Sequence, residues 1–117
     1  MVIKLPLNDS ARQVMTIDIV IDGYTLHAKL EVRYLSAPDI WVLSIWDHSD
    51  GTLLVNQISL VCSYGEINDL LGSYKHIRKG RGIGSLYVLR AVDEPSSADP
   101  SAGNLNQFQI LWGDSID

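Results

Sequence analysis

Strict alternation from Met15 to Tyr34, split by Asp22-Gly23, constrains this chain more than any other feature. In an extended chain Met15, Ile17, Ile19 and Ile21 share one face, and Thr16, Asp18, Val20 and Asp22 share the other. After the turn, Tyr24, Leu26, Ala28, Leu30, Val32 and Tyr34 alternate with Thr25, His27, Lys29, Glu31 and Arg33. Period 2 held for about twenty residues, with Asp-Gly in the middle, predicts a long antiparallel hairpin with one dry and one wet face. The stretch is scaffold and carries no catalytic motif.

The remainder reads as further strands. Val2, Ile3, Leu5 and Leu7 suggest a short first strand, and Pro6 confines it to an edge because proline cannot donate to a ladder. Ser36-Ala37-Pro38-Asp39 breaks the pattern before Ile40 to Trp46, a third long strand rich in β-branched and aromatic residues. Asp47 to Gly51 is a turn. Leu53 to Val55 and Ile58 to Val61 form two short strands or one interrupted strand. Ser63 with Glu66 has the form of a capping box, and Ile67, Leu70 and Leu71 recur at i, i+3, i+4. This predicts one or two helical turns over about residues 63–71, closed by Gly72. Gly84 to Val92 is a strand, Asp93 to Asn106 a long polar loop, and Gln107 to Trp112 the last strand. The expected fold is all-β and mainly antiparallel: a small β-barrel or sandwich with one short helical segment around 63–71, in a single domain over residues 1–117. No internal repeat is present.

Composition sets bounds on function. A chain of 117 residues, 46% hydrophobic and 20% charged, can hold one core unaided. The net charge of −5 gives no general attraction to phosphate backbones and argues against direct nucleic-acid binding. No segment approaches the roughly 20 apolar residues of a membrane span. Met1 to Leu7 is too short for a signal peptide and carries Lys4, so a protein made and assembled in the cytosol is expected. Cys62 has no partner cysteine within the chain and reads as a small buried hydrophobe.

Candidate chemistry is sparse. His27, His48 and His76 share no ligand spacing, and Asp47 and Asp50 lack the downstream acid of a calcium loop, so no metal site is expected. There is no Gly-x-Ser-x-Gly elbow and no carboxylate pair on a defined framework, hence no catalytic residue is assigned. Lys75, Arg78, Lys79 and Arg81 make up four of the nine basic residues and sit among glycines 80, 82 and 84. They match no phosphate-binding fingerprint and read either as a solvated loop or as polar docking groups for an acidic neighbour. Trp41 and Trp46, five positions apart, project from opposite faces of a regular strand. One belongs to the core, and the other must lie under a loop, a second layer or a partner chain.

The order of these features resembles the baseplate plug family of contractile-tailed bacteriophages. The pieces are Asp22-Gly23, the strand Trp41 to Asp47, Asp50-Gly51-Thr52-Leu53-Leu54, Ile58 to Val61, Asp69-Leu70-Leu71, Gly84 to Val88, and Asn104-Leu105 before Phe108 to Trp112. Two features depart from the family pattern: the density of charge over Lys75 to Arg81, and Pro38 before the Trp41 strand. The resemblance implies a structural role, with no active site and no cofactor. It implies a compact, barrel-like β domain near the tail tube and central hub that helps close or organise the baseplate before contraction. Implied partners are other tail and baseplate proteins (tube, hub, sheath initiator or spike complex) and further copies in a homo-oligomeric ring around the tail axis. The implied location is the virion, after assembly in the host cytoplasm. The docking residues expected on this reading are Lys75, Arg78, Lys79 and Arg81, with one of Trp41 and Trp46. The alternative is a small-ligand-binding β-barrel module with Trp41, Trp46 and Tyr24 lining a pocket. A small enzyme is a third and weaker alternative.

Overall fold

The computed structural model of the chain describes residues 2–8, 10–63, 66–72, 83–95 and 98–115. Among them, strands β1 (Val2–Lys4), β2 (Arg12–Ile21), β3 (Tyr24–Leu35), β4 (Ile40–Asp47), β5 (Thr52–Ser59), β6 (Ser85–Arg90) and β7 (Phe108–Gly113) form two antiparallel sheets. The larger sheet runs β2-β3-β4-β5 and the smaller β1-β7-β6.

The hairpin forms as the alternation requires. β2 and β3 pair without interruption from Ile21 opposite Tyr24 to Arg12 opposite Arg33. Asp22 (φ 50°) and Gly23 (φ 87°) supply the two positive-φ residues that a two-residue turn needs to match strand twist. The inward set (Ile19, Ile21, Leu26, Ala28, Leu30 and Val32) is buried. Across the core it meets Leu86, Val88, Phe108, Ile110 and Trp112 of the smaller sheet. β5 is one strand with two irregularities in its pairing with β4. At the first, Gln57 takes φ 50° and its N–H donates to Ser44 Oγ at 3.1 Å. Such bulges bend an edge strand away from further pairing.

The two layers are an open sandwich, and the sheets do not close into a barrel. They are stitched at a corner. Leu60 N–H still donates to Trp41 C=O of the larger sheet, and two residues later Cys62 bridges to Val88 of the smaller one. At another point Gly84 (φ 78°) packs against Gly113 and Ile21, where a Cβ would overlap the Gly113 carbonyl oxygen. Only glycine satisfies both the backbone conformation and the space there.

The segment expected to be helical is not a helix over its described residues 66–71. Ser63 Oγ accepts from Asn68 N–H at 2.9 Å, not from the N–H of a first helical turn. Downstream, Leu70 N–H donates to Leu86 C=O, while Asp69 accepts Leu86 N–H and Ser85 O–H. Bonds along the β6 edge outweigh the weak local propensity of a segment holding Gly65. Leu71 is nonetheless core, as its spacing suggested.

The polar loop after β6 is fastened down. Trp41 Nε1 donates to Ser101 C=O at 2.8 Å, and Cys62 N–H to Asp99 Oδ1 at 2.8 Å. Asp39, in the β3–β4 turn, accepts Tyr34 O–H at 2.5 Å and Ala102 N–H at 2.9 Å. The Tyr34 hydroxyl first, then the Ala102 amide, holds the Asp39 carboxyl below the usual carboxylate range. The same hydroxyl–carboxylate bond is the main cause that raises the Tyr34 phenol.

Gly84→Ala is expected to destabilise the fold by about 2–4 kcal/mol, read as a drop in Tm of roughly 10 °C or more. A depressed folded-state pKa stabilises above the unfolded value, and that contribution is lost as pH falls through the folded one. Asp39→Ala should therefore be less stable than the parent in denaturant melts at neutral pH, and the gap should narrow as pH falls through the depressed Asp39 pKa. At high pH the Tyr34 part of the gap should fade as pH rises through the raised phenol pKa.

Candidate functional site

The strand register places four residues in one row on the outer face of the larger sheet: Thr16, Lys29, Trp46 and Leu53, one each from β2, β3, β4 and β5. Trp46 is half-buried, Leu53 opposite it is 44% exposed, and Lys29 Nζ lies 5.5 Å from the Trp46 ring centroid. A cation over an indole face at such a site contributes about 0.5–1 kcal/mol. The row is bordered by polar pairs: Arg12 Nε meets Glu31 Oε2 at 3.0 Å and His27 Nδ1 meets Asp18 Oδ1 at 2.6 Å. Trp46 is thus a partly desolvated aromatic on an outer sheet face, bordered by satisfied polar groups.

Trp41 faces the other way. It is 1% exposed in the core, its indole N–H is satisfied by Ser101 C=O, and Tyr34 packs at a ring-centroid distance of 5.5 Å. Of the two tryptophans, Trp46 therefore carries the docking expectation and Trp41 does not. The ligand-pocket alternative fails on the same geometry. Trp41 lies inside the sandwich, Trp46 outside it and Tyr24 at the exposed hairpin end, so the three do not converge. No barrel encloses them. Lys75, Arg78, Lys79 and Arg81 lie outside the described residues.

Lys29 and Leu53 were not singled out by residue type. Strand pairing alone brings them to Trp46, and the hairpin alternation, which puts Lys29 on the wet face, is the trace of this in the sequence. The smaller sheet offers a second outer surface, where Tyr87 pairs with Leu111 next to Leu89, all half-buried.

Among the described residues no catalytic arrangement emerges. Burial first, then the Asp99 charge, pushes the Cys62 thiol up, away from the thiolate that a nucleophile needs. Among the described residues no group of three or more His, Cys, Asp or Glu side chains is placed to hold a metal ion.

A family model described as cyanophage baseplate Pam3 plug gp18 matches residues 2–115, which includes every strand from β1 to β7. The chain belongs to this phage baseplate plug family. No curated protein matches it. Membership bears out the resemblance carried by the ordered motifs and makes the chain a structural baseplate component that associates with other baseplate proteins in the virion. A structural family argues against an enzyme.

The two tryptophans differ in burial and so in what their removal costs the fold. Trp41→Ala is expected to cost about 3–5 kcal/mol of stability, whereas Trp46→Ala should stay within about 1 kcal/mol of the parent in the same denaturant melts.

Proposed function

We propose that the chain is the plug of a contractile phage tail, seated on the tail axis between the tube and the central hub, where it helps close the baseplate before contraction. The observation that carries this reading is the family match over residues 2–115. Several copies form a ring around the axis through head-to-tail contacts that close. The chain is assembled in the host cytoplasm and ends in the virion.

The Trp46–Lys29–Leu53 row supports apolar docking on one side of the sandwich, and the Tyr87–Leu111 pair supports it on the other. A protein held between two neighbours needs two such faces. Lys75, Arg78, Lys79 and Arg81 provide a basic segment on an otherwise acidic chain and meet acidic neighbours, giving register more than raw affinity.

The test is composition and structure of purified baseplates. The chain should be present on the axis, and a baseplate that lacks it would sink the reading. Trp46→Ala should lower incorporation, measured by quantitative mass spectrometry of particles, without a matching loss of stability. Replacing the four basic residues with alanine should weaken binding to neighbouring baseplate proteins by about tenfold or more at low salt and by less at high salt, because exposed charge pairs are screened.

A further inference from the structure

The four outer edges of the two sheets are treated differently. β5 carries two pairing irregularities. β1 is three residues long and is followed by Pro6. β6 is covered by Cys62–Ser63 and by Asp69–Leu71. Among the described residues β2 has none of these protections: ten residues, unbroken register, and no proline, glycine or lysine. Unprotected edges of this length template pairing with another strand.

The phase of that edge follows from the bonds of β3. His27 C=O accepts from His48 N–H on the β4 side, whereas Tyr34 N–H donates to Ala11 C=O on the β2 side. Even-numbered residues of β3 therefore bond to β2, and odd-numbered residues of β2 bond back. The backbone groups of Val14, Thr16, Asp18 and Val20 point outward, and among the described residues nothing pairs with them. Their side chains lie on the outer face, with Val14 50% and Val20 42% exposed.

We infer that this edge binds the same edge of a second copy of the chain, antiparallel about a two-fold axis at Ile17, joining two four-stranded sheets into one. The register is selected by the sequence of β2. With Ile17 opposite itself, Val14 faces Val20 of the second copy and Thr16 faces Asp18. Every outer pair from Val14 to Val20 is then apolar with apolar or hydroxyl with carboxylate. On the inner face Met15 falls opposite Ile19, so Met15 and Ile17, only partly buried at the rim of the core, gain cover. Sliding by two residues one way sets Asp18 against Asp18. Sliding the other way sets Val14 against Asp18 and Arg12 against Val20. Both lose the match.

This pairing is a property of the isolated chain and goes beyond the baseplate reading. A two-fold contact differs from a ring's head-to-tail contact, so either can fail without the other.

Light scattering on the purified chain across a concentration series reads the dimer directly. Thr16→Pro removes an outward N–H that β3 does not use, so it should leave the fold intact by circular dichroism and weaken dimerisation by about tenfold or more. Ile17→Cys should cross-link to a covalent dimer on mild oxidation, because opposed residues of a non-hydrogen-bonded pair are within disulfide reach. Met15→Cys should not, as it faces Ile19 of the second copy. The native Cys62 is buried and gives little background. Ile17→Cys does not depend on whether the proline variant folds. A chain that stays monomeric at every concentration overturns the inference. So does an oligomer in which Ile17→Cys fails to cross-link, or in which Met15→Cys links equally well.

Discussion

The pairing of β3 along both its edges is the constraint on which the rest of the structure depends. β3 meets β2 from Tyr24 to Arg33 and β4 from Ala28 to Leu35, so it sets the register of three strands at once. Because side chains alternate with period 2, a slip of one residue would turn every buried side chain outward. That penalty holds Trp41 in the core and Trp46 on the surface, and it lines Thr16, Lys29, Trp46 and Leu53 into one row. This outer row is thus a by-product of the register that buries Leu26, Leu30, Val32, Leu43 and Ile45 on the opposite side.

The second sheet is held to the first at a few points of close approach. The chain passes from one layer to the other between Leu60 and Cys62. Gly84 lets the backbone of the smaller sheet close on Gly113 and Ile21. Trp112 fills the space between the layers and donates its indole N–H to Ile83 C=O at 2.8 Å. A large aromatic in a core is stable only when its polar atom finds such a partner. The two buried tryptophans solve this in the same way, each bonding a backbone carbonyl outside the strands, of Ser101 and of Ile83.

The membership of the chain in a baseplate plug family was legible from the order of short motifs along the chain, none of which is distinctive alone. The hairpin, the third long strand and the opposed tryptophans were legible for a physical reason: alternation is a local property that does not need the rest of the fold. The stretch 63–71 was misread because its capping pattern and its i, i+3, i+4 spacing are also local, yet its bonds are made with β6, distant in sequence. The same blindness hid Lys29 and Leu53 beside Trp46, and the tethers from Asp39, Trp41 and Cys62 to the 99–102 segment.

The sequence by itself determined an all-β chain, the Asp22-Gly23 turn, the burial of one of Trp41 and Trp46, and a fold with no evident catalytic site. Tertiary structure decided which tryptophan is buried, that the sheets stay open instead of closing into a barrel, and which edges are protected. These outcomes turn on non-local pairing. Strand order, corner placement and edge cover depend on which distant segments compete for the same backbone hydrogen bonds, and one-dimensional periodicity does not record that competition.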